Sequence, residues 1–187
     1  MCIRDRIRCH PYLNAEMQAL AEKDLAAFDR AFFGHVSFVA RNLLRALVLG
    51  VTGGRFIGVP VSGREARHYR TLTRLSAVFA LTGDACLAIL GGDLKRREKI
   101  SGRMADALAW MYLASCVLKR LHDEGHPGAD RPVVEWALAL ALWRSEQALL
   151  GVFANLPGRA LPRVLRALAF PFGPSACLLY TSDAADE

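Results

Sequence analysis

Between Leu13 and Phe33 the apolar residues Leu13, Met17, Leu20, Leu25, Phe28 and Phe32 recur at steps of three, four or five. That spacing predicts one amphipathic helix with Glu16, Glu22, Lys23 and Asp24 turned outward. Phe38, Val39, Leu43, Leu44, Leu47 and Val48 form the stripe of a second helix, which Gly50, Gly53 and Gly54 are expected to stop. Residues 51–63 have a strand-like flavour, but four glycines and one proline in that stretch predict a loop where the chain changes subdomain.

Leu72, Leu75, Phe79, Thr82, Cys86 and Ile89 then define a long helix running to Gly91-Gly92. Its partner is expected from about Leu94 to Glu124 through Met104, Leu108, Met111, Leu118 and Leu121, so the glycine pair makes a helical hairpin. His126-Pro127-Gly128 ends that unit, and Asp130 is placed to cap a further helix with Pro132 near its start. Trp136, Leu140, Trp143, Gln147 and Leu150 are its expected inner face, and Asn155-Leu156-Pro157-Gly158 breaks it. A short helix from Pro162 to about Phe170, stopped by Pro171 and Gly173, completes the pattern. The architecture this predicts is all-α, a helical bundle with no significant sheet.

The two ends depart from this pattern. Residues 1–6, Met1-Cys2-Ile3-Arg4-Asp5-Arg6, are what ATG TGT ATA AGA GAC AG plus one base encodes, and that DNA resembles the transposon mosaic end of sequencing libraries. Residues 177–187 read as the reverse complement of the same element followed by its adapter. Both segments are therefore expected to be adapter-derived and are excluded from fold reasoning. The expected division is then 7–50 for the last helices of, or following, an upstream core, 51–63 for the loop, and 64–176 for a C-terminal helical domain.

The chain has 187 residues, 53% hydrophobic and 22% charged, enough for one domain with a sizeable core and unlike a disordered or disulfide-stapled chain. Leu75 to Gly92 is the most membrane-like stretch, but Asp84 stands at its centre, so no spanning helix is expected. Residues 7–176 hold 22 basic and 14 acidic side chains, a charge of +8, and three dispersed cysteines, Cys9, Cys86 and Cys116. Three scattered thiols form neither a disulfide framework nor a metal signature, which suits a reducing, cytoplasmic setting.

No phosphate loop, nucleophile elbow or metal-spaced cluster is present in the sequence. Cys9 beside His10 would suggest a thiolate nucleophile, but adjacent residues of an extended segment point apart, so a helix entry is the favoured reading. Asp84 and Asp106 lie in apolar helices and are expected to meet Lys, Arg or solvent. His35, His68, His122 and His126 are read as surface or capping residues. Lys95, Arg96 and Arg97 are expected in the first turn of a helix, opposing its dipole, which leaves two readings: a solvated basic turn or contact with an acidic partner. Arg159, Arg163 and Arg166 alternate with Leu161, Val164, Leu165, Leu168 and Phe170. That pattern fits a helix on an anionic membrane surface and equally one docked on its own domain. Cations dispersed over several helices, away from the aromatics, argue against nucleic acid.

Three segments together are similar to the C-terminal region of bacterial-type long-chain acyl-CoA dehydrogenases. They are Ile7-Arg8-Cys9-His10-Pro11-Tyr12 with Glu16-Met17; Leu72 to Asp106, with Arg74-Leu75-Ser76 and Leu90-Gly91-Gly92-Asp93-Leu94-Lys95-Arg96-Arg97-Glu98; and Tyr112-Leu113-Ala114-Ser115 through Lys119-Arg120 to Asp123-Glu124-Gly125. The resemblance spans residues 7–173. It implies a parent enzyme of fatty-acid β-oxidation that converts an acyl-CoA to the trans-2-enoyl-CoA, with a carboxylate base, FAD as hydride acceptor and an electron-transfer flavoprotein as electron sink. The resemblance also implies that this fragment begins just after the chemistry, with no catalytic residue and no assigned FAD ligand of its own. Arg8 and His10 are the nearest candidates for contact with that site. By fold-level analogy with very-long-chain members, the region from about residue 64 is expected to support homodimerisation or peripheral attachment to the inner membrane. Lys95, Arg96, Arg97, Arg159, Arg163 and Arg166 are the candidate anion or membrane contacts. The alternative is a stand-alone basic helical module that binds an anionic membrane or a protein partner.

Overall fold

A computed structural model describes residues 12–125, 128, 130–158 and 160–174, Arg64 by its backbone only. Six α-helices occur among them: α1 Leu13–Glu22, α2 Leu25–Thr52, α3 Arg64–Leu90, α4 Glu98–Asp123, α5 Arg131–Asn155 and α6 Ala160–Ala169, with a 3-10 turn at Gly91–Lys95. No strand occurs among the described residues, and the expected all-α class is what the chain adopts. The described residues fall into two compact units divided between Arg45 and Ala46, within α2.

The first unit differs from its expected layout. One helix was expected from Leu13 to Phe33; instead α1 ends at Lys23, which takes a left-handed backbone (φ 56°). The Lys23 and Asp24 N–H groups donate back to Leu20 O (3.3 Å) and Ala19 O (3.0 Å), a closing turn that a non-glycine residue adopts at some cost. Asp24 then accepts a hydrogen bond from Ala27 N–H at 3.0 Å, so the acid expected on an outer face starts the next helix instead. From there α2 runs unbroken to Thr52, joining what was expected as two helices. Between α1 and α2 the Tyr12 ring lies over Gly34, where a Cβ would come within 2.6 Å of Tyr12 Cε1. Tyr12 also stacks on His35 and tilts against Phe38.

The second unit carries a continuous core. Ile100, Met104, Ala107, Met111, Ala114 and Leu118 form one buried seam along α4, with steps of four and three. Ala107 and Ala114 are fully buried in it, and α4 packs most extensively on α5, where small side chains permit close approach. Leu75, Val78 and Cys86 of α3 and Phe170 after α6 close the cluster. The face of α5 is not the expected one. Leu138, Ala141, Leu142, Ser145, Glu146, Leu149, Val152 and Phe153 are buried, while Trp136 is 60% exposed. Apolar residues surround this helix on every side, so periodicity could not select the inner face.

The 3-10 turn corrects the expected start of α4. Gly91 (φ 48°) ends α3, Leu94 is buried as an anchor, and the α-helix begins at Glu98 with Arg97 at its N-cap. The first turn of α4 therefore carries an acid that favours its dipole. By length and apolarity alone, Leu25–Thr52 and Glu65–Lys95 are each sufficient to cross a membrane, a property that buried core helices share. The expectation of no spanning helix weighed only the second of these stretches.

Candidate functional site

The polar feature at the centre of the second unit is an ion pair that periodicity could not show. Arg74 on α3 donates from Nη2 to Glu146 Oε1 on α5 at 3.0 Å; Glu146 is fully buried and Arg74 nearly so. The Arg74 guanidinium also lies over the Phe170 ring, 5.5 Å from its centroid. One arginine thereby joins α3, α5 and the segment after α6. Beside it, Thr82 and Ser145 are buried, and each hydroxyl donates to the carbonyl four residues earlier.

Two histidines read as surface or capping residues are instead cross-links. His35 Nδ1 meets Glu16 Oε1 at 2.9 Å between α1 and α2, and His68 Nε2 meets Glu135 Oε2 at 2.8 Å between α3 and α5. Nothing in helical spacing brings Glu16 to His35 or Glu135 to His68, so only the fold could reveal them. Asp84 is half-buried in α3, and Asp106 is exposed on α4 beside Arg103, Trp110 and Arg144 in a recess of about 190 Å³. Arg144 lies 5.9 Å from the Trp110 centroid and 5.4 Å from that of Trp143.

The described members of the predicted contact set lie on two elements, the 3-10 turn with the residues just after it and α6. Arg8, His10 and Arg159 lie outside the described residues, as do Cys9, residues 1–6 and residues 177–187. Lys95, Arg96 and Arg97 are exposed at the 3-10 turn, and Arg96 pairs with Asp93 at 2.5 Å. Lys95 and Arg96 precede α4, and Glu98 in its first turn offsets Arg97 at the N-cap, so the helix dipole calls for no added anion there. Arg163 and Arg166 are exposed on α6, whose apolar side is only half covered: Pro162 and Ala169 are buried, while Leu161 and Val164 are each 53% exposed.

A recess of about 530 Å³ was missed from sequence. It lies between the last turn of α2 (Gly50, Val51, Thr52, Gly53), the α3 residues Arg67, Thr71 and Arg74, and Pro171–Pro174, with Arg55 at its edge. Arg67, Thr71 and Arg74 share a helix face at i, i+4 and i+7, a signal the sequence does contain. Two other open recesses of about 410 and 370 Å³ flank α4. One is largely apolar, and in the other Glu124 is paired with Arg120 at 2.8 Å.

These recesses do not suit a flavin. A flavin ring works in a dry, enclosed cleft, whereas all four are open to solvent, and the largest is lined by three arginines and no carboxylate. Among the described residues no group of three His, Cys, Asp or Glu could hold a metal ion.

Fold and core together define an all-α helical domain. The model for the C-terminal domain of bacterial-type acyl-CoA dehydrogenases matches residues 7–187, and the chain belongs to that family. No solved structure matches it.

Proposed function

We propose that the chain is the C-terminal helical portion of a FAD-dependent acyl-CoA dehydrogenase of fatty-acid β-oxidation, and that it takes no chemical part in the reaction. The parent enzyme would oxidise an acyl-CoA to the trans-2-enoyl-CoA and pass electrons to an electron-transfer flavoprotein, with its base and flavin contributed by polypeptide outside this chain. The observation that carries the reading is the nature of the buried interior: Leu75, Leu118, Leu138 and Leu149 fill it, and its one ionised pair is spent on joining helices. The exposed apolar residues of α1 and α2, Met17, Leu20, Leu25, Phe32, Phe33, Val36 and Leu44, support docking to the rest of such an enzyme or to a second copy in a homodimer.

The test is to purify the chain, add FAD and an acyl-CoA, and remove free ligand. The expected result is no retained flavin absorbance; a stoichiometric flavin band overturns the reading. The reading frame upstream of Ile7 in the source DNA gives a second check, since it should encode a flavin-binding core.

Exposed Arg163 and Arg166 beside exposed Leu161 and Val164 favour a further role for α6 at an anionic membrane, peripheral on the cytoplasmic side of the inner membrane. Vesicle binding should weaken with salt and with Arg163→Glu plus Arg166→Glu; binding indifferent to both excludes it.

A further inference from the structure

We infer that the arginine-lined recess of the second unit is a binding site for a phosphate group. Its lining brings Arg55, Arg67 and Arg74 together with the Thr71 hydroxyl and holds no carboxylate among the described residues. Among the described residues Arg74 has Glu146 behind it, whereas no ion pair is formed by Arg55 or Arg67. Their neighbours on α3 are paired, Glu65 with Arg131 and His68 with Glu135. Arg70, on the same side of α3, has a buried Nε–H with no hydrogen-bond partner, a donor left unsatisfied next to the turn at Gly54. Arginine forks match the paired oxygens of a phosphate, and a recess of about 530 Å³ is in the range that holds a small ligand.

The geometry of the turn keeps this recess open. A Cβ on Gly50 would come within 3.1 Å of Pro171 Cδ and 3.3 Å of Ala169 O, so glycine there lets the segment after α6 cross the end of α2. Gly54 (φ +71°) then reverses the chain and carries Arg55 to the edge. Val51 and Phe172 line the recess and are 52% and 80% exposed, and Phe56, next to Arg55, is 86% exposed. Exposed aromatic rings beside a cationic hollow suit the phosphate of a lipid headgroup, with the rings at the level of the acyl chains; a soluble phosphate ester presents the same anionic group.

The inference is independent of the flavin reading and uses residues other than those of α6. The full 187-residue chain and two double variants, Arg55→Gln/Arg67→Gln and Arg163→Gln/Arg166→Gln, would be compared in two arms. One measures binding to phosphatidylcholine vesicles with and without phosphatidic acid; the other titrates inorganic phosphate and glycerol 3-phosphate by calorimetry. Circular dichroism checks that each variant is folded. Loss of both exposed cations should weaken binding about tenfold or more, whereas the α6 variant should leave soluble-phosphate binding unchanged. An effect confined to phosphatidic acid vesicles, and reduced by Phe172→Ser, identifies a lipid source; an effect on the soluble esters identifies a free one. If Arg55 and Arg67 serve only to cap the carbonyls ending α2, the variant loses stability but binds as the parent does, and the proposal fails. Absence of binding in both arms also defeats it.

Discussion

Up to Arg45, Ala19 alone among the described residues is buried, and Leu25, Phe33 and Leu44 are 78%, 66% and 61% exposed. From Ala46 onward, Leu75, Val78, Leu149 and Val152 are completely covered. Both regions are rich in apolar side chains, so hydrophobic content does not separate them. What separates them is the number of helices inside each unit: among the described residues the first unit holds α1 and the start of α2, whereas in the second α3, α4, α5 and α6 enclose one another's stripes. An apolar surface left open over most of a helix is the kind that the docking proposed above would cover. The second region covers its own apolar side chains.

The largest test of this contrast lies at the Arg74–Glu146 pair. Glu146→Ala removes the carboxylate that balances a buried guanidinium and should cost about 3–5 kcal/mol, read from chemical denaturation. Replacing both residues, as Arg74→Met with Glu146→Leu, should recover most of that loss, because the guanidinium and carboxylate then no longer need one another. A single Glu146→Ala variant as stable as the parent would remove the pair from the account.

Core truncation comes next. Leu149→Ala should destabilise by about 2–5 kcal/mol, because a fully covered side chain leaves a cavity behind. Phe33→Ala, of larger size but on the open side of α2, should shift stability by no more than about 0.5 kcal/mol in the isolated chain. Equal losses would mean that the two regions are covered alike.

The smallest effect is at Cys86. Burial pushes its thiol from 9.0 up to about 11, so at mildly alkaline pH it should resist alkylation that modifies exposed Cys116, as read by peptide mass spectrometry. The folded state holds this proton between 9.0 and 11 while the unfolded chain releases it, so stability falls as pH rises through that window. Cys86 alkylated as fast as Cys116 in the folded chain would show that α3 opens freely.

Much of this fold was legible in the chain. Gly91-Gly92 and the break at Asn155-Leu156-Pro157-Gly158 end helices within a residue of where glycine and proline place them, because these residues act locally, while the loop expected from residue 51 begins only after Thr52, α2 running through Gly50. Where the reading failed, local chemistry competed. Lys23 in a left-handed turn and Asp24 as a cap split the first expected helix, and an acid between apolar positions looks the same in sequence whether it faces solvent or starts a helix. The inner face of α5 was illegible because apolar residues encircle it, and Glu146 meeting Arg74 and Glu135 meeting His68 orient it only once the fold is formed. The candidate contacts were chosen by charge density along the chain. The convergent arginines come from two separate elements, the loop after α2 and the face of α3, and no linear pattern joins Arg55 to Arg74.

Amide hydrogen exchange on the isolated chain tests the contrast most directly. The slowest amides should be those around Met104–Leu118 and Leu138–Val152, with Leu25–Arg45 exchanging orders of magnitude faster, since few contacts hold that stretch closed. Protection of Leu25–Arg45 equal to that of α4 and α5, in a chain shown to be monomeric, would contradict the view that its apolar side awaits a partner.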